Sequence, residues 1–161
     1  VYMGTFSKSL ASLGGYMAGS HALVDFVRHA SRPFIFSASI PPSNCVVALA
    51  SLRQLKNHPE LVQRLASLSA YARKGLKERG VSIHESSTPI IPIYTHEVFH
   101  TLQAARDMYD AGVYVNPVLP PATPPEDCLL RTSYMATHTE TLLDEAMDII
   151  AMVLKRLEET P

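Results

Sequence analysis

The residues with the clearest chemical potential lie near the start of the chain. Gly4-Thr5-Phe6-Ser7-Lys8-Ser9-Leu10 is followed, after a short spacer, by Gly14-Gly15-Tyr16. An apolar, strand-like segment runs straight into a Ser/Lys turn, so the turn can present the Lys8 amine to a cavity. A lysine desolvated in this way loses part of its proton affinity and becomes a usable nucleophile. Such an amine can form a Schiff base with pyridoxal phosphate (PLP), and the hydroxyls of Thr5 and Ser7 bracket it where phosphate oxygens could be met. A solvated lysine on a surface turn satisfies the same residue types, and both readings stand at this point.

Two further polar side chains stand in apolar runs. Arg131 sits in Leu129-Leu130-Arg131-Thr132-Ser133, with Glu126 and Asp127 nearby as ion-pair partners. A guanidinium's planar two-bond fork suits a carboxylate of either origin. Ser37 closes the run Phe34-Ile35-Phe36-Ser37, where a strand-end hydroxyl can bond the local backbone.

The elements that must position these groups follow from hydrophobic period and breakers. Tyr2 to Phe6 and Gly15 to Ala18 read as short strands joined by a Ser/Gly turn. Leu23, Phe26, Val27 and Ala30 repeat at helical spacing until Arg32-Pro33, where proline disfavours helix in the residue before it. Phe34 to Ser37 reads as a buried strand. A helix over about 43–55 follows Pro41-Pro42. A second helix has Pro59 in its first turn, the stripe Leu61, Leu65, Leu68, Ala72 and Leu76, and Gly80 as C-cap. Ile90 to Tyr94 is a strand, Val98 to Met108 a helix that stops at Gly112, and Val113 to Val115 another strand. The proline-dense loop 117–125 leads to a strand over Leu129 to Tyr134. The last helix, carrying Leu142, Leu143, Ala146, Ile149, Ile150, Val153 and Leu157, has Thr139 or Thr141 as its cap. The order predicts an α/β chain in two regions: residues 1–55 as the end of an α/β domain, and 56–161 as a small α+β domain.

Composition narrows the function classes. The chain has 161 residues, 47% hydrophobic and 18% charged, enough to bury a core. A formal net charge of -1 gives no footprint for nucleic acid or an anionic membrane surface. No apolar run approaches the length of a membrane helix. Cys45 and Cys128 are far apart and form no CxxC pair, which argues against a disulfide scaffold or a metal site and suits a reducing cytoplasm. The opening Val1-Tyr2-Met3-Gly4 reads as the middle of a longer protein.

Thr5-Phe6-Ser7-Lys8-Ser9-Leu10 with Gly14-Gly15-Tyr16-Met17-Ala18-Gly19 closely resembles the cofactor-lysine segment of the α-oxoamine synthases, PLP enzymes of fold type I. The resemblance continues through Arg32-Pro33-Phe34-Ile35-Phe36-Ser37-Ala38-Ser39 and returns at Leu129 to Ser133 and Ala136-Thr137-His138-Thr139. It implies that Lys8 carries PLP and is the catalytic lysine, and that Thr5 contacts the phosphate. It also implies that Ser37 reaches the phosphate of a partner subunit in a homodimer, and that Arg131 binds the carboxylate of the amino-acid substrate. His138 is read as structural, at the entry of the last helix.

On this resemblance the fold is the end of a PLP-binding large domain (1–55) followed by the C-terminal α+β small domain (56–161). The implied reaction of the full-length parent is decarboxylative condensation of an amino acid with an acyl-CoA. Pro120-Pro121-Ala122-Thr123-Pro124 is similar to a loop of bacterial serine palmitoyltransferases, although Leu119 stands where some of them have arginine. 8-Amino-7-oxononanoate synthase and 2-amino-3-ketobutyrate CoA ligase are the alternatives within the family. A non-catalytic interaction subunit is the alternative of another class. The family's ring-stacking histidine, its pyridine-binding aspartate and its glycine-rich contacts precede the matched segment, so the segment alone is expected to be inactive.

Overall fold

The computed structural model describes residues 1–159 and divides the chain into two compact units, Val1–Pro59 and Glu60–Pro161. Each is described separately.

The first unit begins with an antiparallel hairpin of β1 (Tyr2–Thr5) and β2 (Gly15–Ala18), in which Thr5 lies opposite Gly15. Three helices follow: α1 (His21–Ala30), α2 (Arg32–Ile35) and α3 (Pro42–Asn57). Ser20 caps α1 by accepting the Leu23 N–H. The hairpin is open to solvent: Tyr2 and Met3 are 77% and 81% exposed, and the two strands pair only with each other among the described residues. One expectation changes here. Residues 34–37 are not a strand. The N–H groups of Phe34 and Ile35 donate to Ser31 O, and Phe36 N–H to Arg32 O, closing one helical turn. Pro33 lies in the first turn, where a missing N–H is harmless. A short apolar run does not by itself distinguish helix from strand, and Phe34 and Phe36 are exposed.

The second unit holds the core. Helix α4 (Glu60–Glu78) precedes β3 (Ile90–His96), α5 (Val98–Asp110), β4 (Asn116–Val118), β5 (Cys128–Ser133) and α6 (Glu140–Glu158). The strands form an antiparallel sheet in the order β3-β5-β4. Leu68, Ala72 and Leu76 of α4, Met108 of α5, and Met147, Ile150 and Val153 of α6 close over Ile91, Ile93 and Leu130 of the sheet. Burial alternates along β5: Cys128, Leu130 and Thr132 are buried, while Arg131 and Ser133 are exposed. One face of the sheet therefore carries the helices and the other carries Arg131.

The strand expected over 113–115 lies three residues later. Val113 N–H is spent on Met108 O in the termination of α5, and Val115 drops into the core, so pairing starts at Asn116. Pro117 is tolerated because β4 is an edge strand. Helix α4 ends with Gly80 in the left-handed region (φ 77°). There Val81 N–H bonds Leu76 O and Gly80 N–H bonds Lys77 O, satisfying the last carbonyls. The same pair of bonds ends α5 at Gly112. Thr139 caps α6, its hydroxyl accepting Leu142 N–H.

Gly80→Ala puts a Cβ on a left-handed residue and should lower stability by about 1 kcal/mol, read from urea denaturation. The Glu97 carboxylate caps α5 by accepting His100 N–H at 2.8 Å, and the His100 and Phe99 amides hold its pKa below the usual glutamate value. A depressed carboxyl stabilises above its unfolded pKa of about 4.3 and loses that contribution as pH falls through the lower folded value. Glu97→Gln should therefore be less stable than the parent at neutral pH, with the difference vanishing in acid.

Candidate active site

The loop from Phe6 to Gly14 is closed by its own backbone. Phe6 N–H donates to Gly14 O at 2.8 Å, Ser12 N–H to Phe6 O at 3.0 Å and Ala11 N–H to Lys8 O at 3.0 Å. Ala11 takes a left-handed φ of 48° to make this possible. Thr5 ties the loop base together. Its hydroxyl donates to Gly14 O at 3.3 Å, accepts Ser7 N–H at 3.2 Å and lies 2.9 Å from the Ser7 hydroxyl. Ser12, which is buried, donates from Oγ to Asn44 O at 2.7 Å and fastens the loop to α3.

Lys8 is therefore held at the tip of a braced loop. Its side chain is exposed, and its amine has no ion-pair partner among the described residues. The hairpin that carries the loop is itself open to solvent within this unit.

Ser37 belongs to the same unit. It is exposed, and its hydroxyl donates to Pro33 O, four residues back, as a residue just past a helical turn does. Of the two readings of Ser37, this structure has the local bond formed.

Arg131 belongs to the second unit. It stands on β5 opposite Pro92 of β3 and Asn116 of β4. Its Nη2 approaches Asn116 Oδ1 at 3.5 Å, and Asn116 Nδ2 donates to Tyr114 Oη at 3.1 Å. Among the described residues it makes no ion pair, so the pairing with Glu126 or Asp127 is not formed. Asp127 and Arg131 are four residues apart along an extended segment, roughly 13 Å at strand rise. The proline-dense loop ahead of β5 is fastened by Ala122 N–H to Leu119 O at 2.9 Å, and the Thr123 hydroxyl is buried without a partner among the described residues.

One anchor of this region has no local signal in the sequence. Arg64 of α4 donates from Nε to Ala136 O at 2.7 Å and from Nη2 to His138 O at 3.1 Å. It clamps the turn that follows β5 across a separation of more than 70 residues. His138 completes that turn: its Nδ1 accepts Met135 N–H at 3.4 Å, and its ring packs edge-on against Tyr134. This is the structural role read for His138. Cavities of about 330 and 440 Å3 open beside Ser82, Tyr94 and Leu154, and Arg131 lines neither. No described helix is long and apolar enough to cross a membrane, and the described residues hold no metal-competent group of three or more His, Cys, Asp or Glu.

Residues 1–150 match the family model described as aminotransferase class I and II. The chain belongs to this family. It is 40% identical over 156 residues to serine palmitoyltransferase of Bacteroides thetaiotaomicron, covering 97% of this chain and 40% of that protein. It is 34% identical over 158 residues to 8-amino-7-oxononanoate synthase 1 of Bacillus subtilis, covering 98% of this chain and 40% of that one. A serine palmitoyltransferase structure with PLP superposes with a TM-score of 0.90 at 33% identity, over 97% of this chain and 40% of that chain. The chain thus spans about 40% of the length of these relatives. It has the aminotransferase class I/II fold, and the α-oxoamine synthase resemblance read around Lys8 and Arg131 is borne out by these relatives.

The Arg64 clamp gives a direct test. Arg64→Ala should speed hydrogen exchange at the Met135 and His138 amides and lower stability by about 1 kcal/mol, while amides of β1 and β2 keep their rates.

Proposed function

We propose that the full-length protein catalyses PLP-dependent decarboxylative condensation of an amino acid with an acyl-CoA, with serine and a long-chain acyl-CoA preferred. The observation that carries this reading is the braced loop that presents Lys8 Nζ without an acidic partner among the described residues. The donor set fits the cofactor: a primary amine for its aldehyde, and the Thr5 and Ser7 hydroxyls 2.9 Å apart for phosphate. PLP, when bound, supplies an electron sink for the carbanion at the substrate Cα.

The roles of this chain's own residues follow. Lys8 Nζ would hold the cofactor through its aldehyde, and as a free amine it would be the base for the substrate α-proton. Thr5 donates to phosphate, a hydroxyl being free to rotate away from Gly14 O. Ser37 serves the partner subunit's phosphate in a homodimer by giving up its bond to Pro33. Arg131 takes the substrate carboxylate in a two-bond fork. In this reading residues 1–55 end the PLP-binding large domain, 56–161 are the C-terminal small domain, and the protein works in the cytoplasm.

The preference for serine and a long acyl chain rests on the 40% identity to serine palmitoyltransferases over nearly the whole chain, against 33–38% for 8-amino-7-oxononanoate synthases. The full-length protein should develop a visible PLP absorbance band that borohydride bleaches, leaving the cofactor fixed as a secondary amine on the peptide containing Lys8; Lys8→Ala should show neither. Palmitoyl-CoA with serine should release CoA. Turnover only with alanine and a pimeloyl donor would assign the 8-amino-7-oxononanoate synthase reaction instead. Absence of PLP binding would favour a non-catalytic interaction subunit.

A further inference from the structure

On the open face of the second unit's sheet, Arg131 is the only charged side chain pointing outward from β5, and its neighbours across the strands are Pro92 and Asn116. An arginine there needs something to fix its planar fork of five N–H donors in one orientation at the end of a flexible stem, and a carboxylate would do so at the cost of occupying the fork. Asn116 does it with a neutral oxygen. Its Oδ1 faces Arg131 Nη2 at 3.5 Å, and its own orientation is set by the 3.1 Å bond from Nδ2 to Tyr114 Oη. The backbone fixes the pair as well, since Asn116 and Arg131 are direct partners in the β4–β5 register.

We propose that Asn116 is a positioning residue that aims the Arg131 guanidinium while leaving its charge for the carboxylate of a ligand. The inference rests on the proposed role of Arg131 and adds the reason the site stays receptive. An acid at position 116 would compete with the substrate; an aliphatic residue would leave the guanidinium unaimed.

The test uses the PLP-loaded full-length protein, titrated with serine and with serinol, which replaces the carboxylate by a hydroxymethyl group. Asn116→Asp, nearly isosteric, should weaken serine binding about tenfold or more, as loss of one charge-assisted contact would. It should leave the affinity for serinol, the KM for the acyl donor and the denaturation midpoint close to parental values. Asn116→Ala should lose several-fold, and Asn116→Gln should recover part of that loss because it keeps the amide. A purely structural role would instead shift serine and serinol binding together with the midpoint, and would overturn the proposal. Parental serine affinity in Asn116→Asp, with Arg131→Ala still weakened, would overturn it while leaving Arg131's role intact. Parental serine affinity in Arg131→Ala would overturn the role of Arg131 itself, and this inference with it.

Discussion

The alternation of β5 is the constraint on which the second unit depends. It is the central strand, paired on both sides, and consecutive side chains must face opposite ways. Leu130 fills the core under α4, α5 and α6, and Thr132 is buried with its hydroxyl donating to Ile91 O at 2.8 Å. With those two facing inward, Arg131 can only face outward. A slip of one residue would bury a guanidinium and expose Leu130 and Thr132, an exchange costing several kcal/mol, so packing on one face holds the cation on the other. The helices that never approach Arg131 are in this sense what positions it.

The loop of the first unit is held by a different means. Among the described residues of that unit only Ser12 and Ala48 are buried, so little apolar packing braces Lys8. The loop relies on hydrogen bonds: backbone closure between Phe6, Ser12 and Gly14, the Thr5 hydroxyl at the base, and Ser12 reaching α3. Such bonds are individually modest but directional, which suits the task of presenting one amine at a fixed place.

How much of this was legible in the sequence depends on the range of the interaction responsible. The helical stripes, the Gly80 and Gly112 terminations and the Thr139 cap are local, and composition within a few residues reveals them. The outward Arg131 is also legible, from apolar residues on either side of it in a strand. The helical turn at 32–35 was missed because an apolar tripeptide carries no period, and the strand at 116–118 because a valine pair resembles a strand even when one residue is spent on a helix cap. The grip of Arg64 on Ala136 and His138 could not be read at all, since nothing near Arg64 announces its partners. Asn116 was passed over because an asparagine before a proline reads as a turn until the register sets it opposite Arg131.

The other arginines of the second unit show why the setting of Arg131 matters. Arg79 pairs with Asp148 at 2.6 Å and Asp144 at 3.5 Å, Arg106 with Asp110 at 2.8 Å, and Arg156 with Asp107. Arg64 and Arg73 spend their donors on backbone carbonyls, those of Ala136 and His138 and those of Ser69 and Thr88. Each of these directs donors to a carboxylate or a backbone carbonyl of the fold, as a guanidinium used for structure does. Arg131 instead meets one long contact to a neutral amide. Its remaining donors face outward from a sheet whose adjacent positions offer no carboxylate. A unit that pairs or anchors its other arginines and leaves this one with an aimed but unneutralised fork has kept it complementary to an anion from outside.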